Sequence, residues 1–80
     1  MHIVYILTSR EYPERYYIGM TDNLDRRLKE HNAGDTVYSK RYAPWQLETY
    51  ITFRNKMRAE ELEKYLKSGH GFSFLKRRLL

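Results

Sequence analysis

Apolar and polar positions along the chain change period several times, and each change marks an element. Residues 2–8 (HIVYILT) put β-branched and aromatic side chains on both alternating faces, the pattern of a strand covered on both sides and hence of a central strand. The polar stretch SREYPER supplies a turn, in which Pro13 cannot donate to a ladder, and residues 15–20 (RYYIGM) return as the second strand of a hairpin. Thr21 or Asp22 is expected to cap a helix, since NLDRRLKEHNAG has helical spacing, an acidic start at Asp25 and a stop near Gly34. Residues 34–44 (GDTVYSKRYAP) show no period and are expected to form a surface loop. In residues 45–53 (WQLETYITF), Leu47, Thr49, Ile51 and Phe53 alternate with Glu48, Tyr50 and Thr52, as in a strand with one wetter face. Asn55 is a good N-cap for KMRAEELEKYLKS, which Gly69 is expected to end, and FSFLKRRLL is expected to form a short helix holding Phe72, Leu75 and Leu79 against the sheet.

The predicted order, β-β-α-β-α with a terminal α, defines an α+β (mixed α/β) fold: a small three-stranded antiparallel sheet flanked by helices, with residues 1–80 forming a single domain. At this length only about 60% of the unfolded chain's surface can be buried, so the core must be small. The absence of cysteine excludes disulfides, thiol metal sites and a thiol nucleophile. The apolar run Ile3 to Leu7 is too short for a secretory or membrane segment. A soluble cytoplasmic protein with no membrane partner is therefore expected. Fifteen Lys and Arg against ten Asp and Glu give a net charge of +5, spread along the chain, which makes nucleic acid the leading partner class.

Some polar residues do not suit their positions. On the first helix Leu24, Arg27, Leu28 and His31 share one face, and on the second Ala59, Leu62, Glu63 and Leu66 do so. Each has a structural reading: Arg27 snorkels from the edge of the stripe, His31 complements the helix dipole, and Glu63 pairs with Lys67 four residues on. Three such residues beside a tyrosine-rich hairpin point instead to a site. Tyr5 and Tyr17 lie on the paired strands, where their hydroxyls can share a concavity. Gly19 leaves room there for a backbone or a phosphate. Lys40, Arg41, Lys76, Arg77 and Arg78 are the expected phosphate contacts outside the site.

IVY at residues 3–5 and YIG at residues 17–19 resemble the paired motif of the GIY-YIG nuclease superfamily. DNLDRRLKEHN and AEELEKYLK resemble its arginine- and glutamate-bearing helices, so the chain is similar over nearly all its length to the small stand-alone members. The resemblance implies a metal-dependent endonuclease hydrolysing phosphodiester bonds in DNA rather than RNA, at branched, nicked or single-stranded structures, in repair or recombination. It places the motif tyrosines at Tyr5 and Tyr17, the glycine at Gly19, the catalytic arginine at Arg27, the helix histidine at His31 and the metal-binding glutamate at Glu63, with Mg²⁺ or Mn²⁺ as the ion. Arg27 is then expected to fork onto the scissile phosphate. Tyr5 and Tyr17 would orient the attacking water, or accept its proton if Arg27 and the metal lower a tyrosine pKa, with His31 as auxiliary base or phosphate contact. Target choice is then expected to come from the domain itself or from a protein partner supplying specificity. Ile3 stands where the family usually has glycine, Met20 where relatives often have lysine, and no asparagine follows Asn55. These departures leave an alternative: a catalytically weak or inactive nucleic-acid-binding module of the same fold.

Overall fold

In the computed structural model, which describes residues 1–80, β1 (His2–Ser9) is the middle strand of a three-stranded antiparallel sheet, between β2 (Tyr16–Thr21) and β3 (Trp45–Phe53). Its central place follows from the apolar groups on both of its faces, which alternate into two separate cores. Val4 and Ile6 pack with Ile18, Ala59, Leu66 and Leu75 beneath α3 (Lys56–Leu66). Tyr5 and Leu7 point the other way and join Trp45 beneath α1 (Leu24–Asn32) and α2 (Val37–Tyr42). The predicted α+β order is borne out, with one helix more than expected between α1 and β3.

β3 departs from a single alternation. Ile6 faces Thr49, whereas Leu7 faces Leu47, so Glu48 is an extra residue and the strand bulges there. Across the bulge the faces exchange. Trp45 and Leu47 lie on the Tyr5 side, while Ile51 and Phe53 lie on the Val4 side, so the odd-numbered residues serve both cores.

Residues 34–44 are not a loop throughout. Thr36 accepts from the Ser39 amide and Ser39 Oγ accepts from the Thr36 amide, a reciprocal cap that starts α2. The cap of α1 is neither Thr21 nor Asp22 but Asn23, whose Oδ1 accepts from the Arg26 amide. Thr21 instead holds the Asn23 amide, and Asp22 pairs with Arg26. Asn55 caps α3 as predicted, accepting from the Met57 and Arg58 amides.

Gly69 opens a helix instead of closing one. α3 ends at Leu66, and Ser68 immediately caps α4 (Gly69–Phe74), which runs into a π-helical turn at Leu75–Leu79. Gly71 and Leu75, four residues apart, take the inward face, so Phe72 is turned outward and about half exposed, contrary to expectation. Leu75 and Leu79 do pack on the sheet core. No helix is long and apolar enough to cross a membrane.

Candidate active site

The site starts from a cross-strand pair. Tyr5 faces Gly19, and a Cβ at residue 19 would stand 2.6 Å from Tyr5 Cζ and closer still to the hydroxyl. The space left by glycine is therefore filled by the tyrosine ring itself, not by a backbone or a phosphate. Tyr17, two residues along β2 on the same face, stacks on Tyr5 with centroids 6.3 Å apart and lies 4.3 Å from the His31 ring.

α1 adds the charged groups, with Arg27 and His31 one turn apart on the face turned to the sheet. Arg27 Nε donates to the Tyr5 hydroxyl at 3.2 Å, and that hydroxyl lies 3.0 Å from His31 Nε2. Guanidinium can only donate, so the phenol oxygen accepts from Arg27 and its own hydrogen is free for Nε2. Arg27 Nη1 reaches both Glu30, at 3.0 Å, and Asp35, at 2.6 Å. Asp35 is in turn held by Ser39 Oγ at 2.8 Å. His31 is completely buried, and its Nδ1 has no hydrogen-bond partner, lying 3.7 Å from Asp35 Oδ1. The end of α1 is fastened to β3 by Asn32, whose side chain accepts from the Trp45 amide at 2.6 Å and donates to its carbonyl at 3.3 Å.

These surroundings set the protonation states. Burial pushes the Tyr5 phenol up to about 12, outweighing the Arg27 hydrogen bond that pulls it down. The condition for a tyrosine to accept the proton, a pKa lowered by Arg27 and the metal, is not met at Tyr5 by Arg27 alone, because desolvation of a phenolate exceeds the help of one cation. Burial, with the charge of Arg27 beside it, holds His31 below its ordinary value and keeps the ring neutral. Burial alone would raise Asp35, but the Ser39 and Arg27 hydrogen bonds prevail and lower it. Arg27 itself is raised: its burial acts downward, and hydrogen bonds to Glu30, Tyr5 and Asp35 more than offset that.

Tyr5, Tyr17, Gly19, Arg27 and His31 are thus brought together. Glu63 is not among them: it sits on α3, over the other face of the sheet, where its carboxylate meets Lys67 Nζ at 3.3 Å. Lys40 and Arg41 are exposed on α2, on the Tyr5 side. Lys76, Arg77 and Arg78 are exposed in the terminal turn, whose buried Leu75 belongs to the opposite core. Asp35, Ser39 and Tyr38 do not stand out in the sequence. Their stretch has no period, and the one signal it carries is the placement of Asp35 four residues after His31.

Residues 1–77 match the GIY-YIG catalytic domain. The chain belongs to the GIY-YIG family. Among relatives, a UPF0213 protein of Clostridium perfringens is 38% identical over 68 residues, covering 84% of this chain and 71% of the relative. A structure-specific endonuclease subunit SLX1 homolog of Giardia intestinalis is 37% identical over 62 residues, covering 72% of this chain but only 17% of that protein. The solution structure of a UPF0213 protein from Bacillus halodurans superposes with a TM-score of 0.55 at 31% identity, covering 94% of this chain and 81% of that one. This places the chain in a nuclease family, and Tyr5 and Tyr17 are the two rings that meet over His31.

Proposed function

We propose that this domain is a metal-dependent endonuclease that hydrolyses phosphodiester bonds in DNA, with Mg²⁺ or Mn²⁺ held by Glu63. The observation that carries the reading is the Tyr5 hydroxyl shared between Arg27 and His31. A phenol near pKa 12 is a poor store of negative charge, so Tyr5 serves as a relay. The attacking water passes its proton to the phenol oxygen while the phenol hydrogen moves to His31 Nε2, and the imidazolium so formed faces Asp35 across 3.7 Å. His31 is wholly buried with Nε2 turned to the Tyr5 hydroxyl, so it acts through Tyr5, itself 1% exposed, once the water is bonded to the phenol oxygen beside Arg27. Arg27 Nη2 makes no hydrogen bond within the protein and is the donor left for a phosphate oxygen. Tyr17 covers the His31 ring and helps to shield the relay from solvent.

No group of three or more His, Cys, Asp and Glu able to hold a metal is present, and Glu63 offers one carboxylate, a quarter exposed. That donor set fits an ion that keeps several waters and takes the rest of its ligands from substrate phosphate. Held there, on the α3 side of the edge strand β2, such an ion would supply positive charge to a substrate strand that wraps that edge from the Arg27 side. The SLX1 relatives are named subunits of a structure-specific endonuclease, which supports a substrate chosen by its structure.

The test is cleavage of a labelled panel of duplex, nicked, flapped and branched DNA by purified protein with Mg²⁺ or Mn²⁺. Glu63→Gln should abolish cleavage and leave the fold and DNA binding intact, whereas Glu60→Gln and Glu61→Gln should cleave like the parent. Cleavage undiminished in Glu63→Gln removes the metal assignment. DNA binding by a parent that cleaves nothing would leave a binding module of the same fold.

A further inference from the structure

β2 is an edge strand, and around its outer side runs a groove of about 400 Å³ that no part of the Tyr5–Arg27–His31 relay uses. Tyr17 and Tyr38 form one wall, with ring centroids 6.5 Å apart, and Phe72 of α4 forms the other. Leu66, buried, lies at its floor, and Lys67 stands at its rim. The volume is within the range of small-ligand sites, and the lining is aromatic and apolar apart from the lysine. Tyr38 is fixed in place, its hydroxyl donating to the Tyr16 carbonyl at 2.9 Å. Phe72 is kept about half exposed by the inward turn of Gly71 and Leu75. Tyr17 belongs to both the groove and the site, so the groove adjoins the site.

The rings continue past the groove. Tyr38 packs at 5.0 Å on Tyr42, which carries the guanidinium of Arg15 at 4.9 Å and that of Arg41 at 5.6 Å from its ring centroid. Aromatic faces interleaved with cations along one open edge are the combination that takes bases by stacking and the connecting phosphates by charge.

We propose that this groove is a nucleobase subsite: it receives one unpaired base of the substrate strand, next to the phosphate held by Arg27. The assignment rests on the nuclease reading and narrows its substrate to strands with at least one base free of its partner. A paired base within a duplex presents only its edges, and its ring faces are covered by its neighbours, so it cannot enter between Tyr38 and Phe72.

The test measures binding alone, by fluorescence anisotropy in EDTA so that no cleavage occurs. The probes are labelled oligothymidylate, oligouridylate, a fully abasic deoxyribose-phosphate oligomer of equal length and a blunt duplex. The parent should bind oligothymidylate about tenfold more tightly than the abasic oligomer of the same charge. Phe72→Ala should remove that preference and leave abasic and duplex binding within about twofold of the parent. Phe74→Ala, in the same helix but packed on Tyr65 away from the groove, should retain the preference. Circular dichroism and thermal melting establish that both variants are folded. Equal gains on oligothymidylate and oligouridylate mean that the subsite takes a base from either nucleic acid, and a gain on one alone assigns the source; both support the proposal. An unchanged preference in Phe72→Ala overturns the subsite and leaves the nuclease reading standing. Failure of the parent to bind any probe at low salt overturns both.

Discussion

Gly19→Ala tests whether the site depends on one missing methyl group. The added Cβ would lie 2.6 Å from Tyr5 Cζ and nearer still to the hydroxyl, well inside ordinary contact. Tyr5 is 1% exposed, with Tyr17 stacked on it and Arg27 and His31 bonded to its oxygen, so the ring has nowhere to swing. Either β2 shifts or the phenol leaves its two partners. Overpacking of this kind costs about 1–3 kcal/mol, which for a domain of this size lowers the melting temperature by about 4–24 °C. The assay is thermal and urea unfolding followed by circular dichroism. Tyr5→Phe removes the closest atom, so the double variant should recover part of the loss, with a coupling of at least ~0.5 kcal/mol. Gly69→Ala, where an added Cβ meets nothing within 4 Å, should be neutral or slightly stabilising. A Gly19→Ala protein melting within about 2 °C of the parent, half the smallest shift expected, would refute the reasoning.

Further expectations concern charge. His31 has a folded-state pKa below the 6.5 of the free side chain. The unfolded chain therefore binds the extra proton first, and stability present above pH 6.5 declines as pH falls, by up to about 1.4 kcal/mol per pH unit. Urea unfolding between pH 7.5 and 5 should show this slope, and His31→Gln should flatten it; parallel slopes would sink the assignment. Asp35 is also lowered, but its loss begins only near its ordinary value of 3.8, outside that window. Asp35→Asn frees Arg27 Nη1 of one carboxylate and should tighten DNA binding about fivefold, from roughly 1 kcal/mol of removed repulsion, while slowing cleavage; unchanged affinity would show that Asp35 does not face the phosphate path. Replacing Lys40 and Arg41 together by alanine should make the dependence of log affinity on log salt shallower by about 1.8 on duplex DNA if both contact phosphate, and an unaltered slope would exclude them.

Much of this arrangement is legible in the sequence because it depends on period. Residues 2–8 show a strand covered on both sides, and Arg27 and His31 fall among the leucines of α1, where the structure turns them onto Tyr5. Asn55 can be read as a cap because its side chain acts locally. The features that escape such reading depend on distant packing. The start of α2 uses serine where the familiar reciprocal cap has glutamate or glutamine, and its six residues owe their place to the aromatic cluster around Trp45. Asp35 gains its role only when that helix folds back on α1. The rise of the Tyr5 pKa is not legible either, because a sequence shows the neighbouring cation but not the depth of burial.

The bulge at Glu48 gives β3 an unusual sensitivity to length. In most proteins an added or lost residue is absorbed in a loop, where it alters reach and little else. Here the odd residue is carried inside a strand, and it sets which core receives each half of that strand. Deleting Glu48 would preserve every hydrophobic residue and leave the hydropathy profile almost unchanged. It would also force Trp45 and Leu47 to the α3 side or Ile51 and Phe53 to the α1 side, since side chains in a regular strand alternate without exception. Homologous chains that differ in length within this strand should therefore differ by two residues, or carry a compensating bulge. For alignment and for grafting the domain onto other proteins, β3 is a fixed-length part, and the adjustable lengths lie in the turns around it.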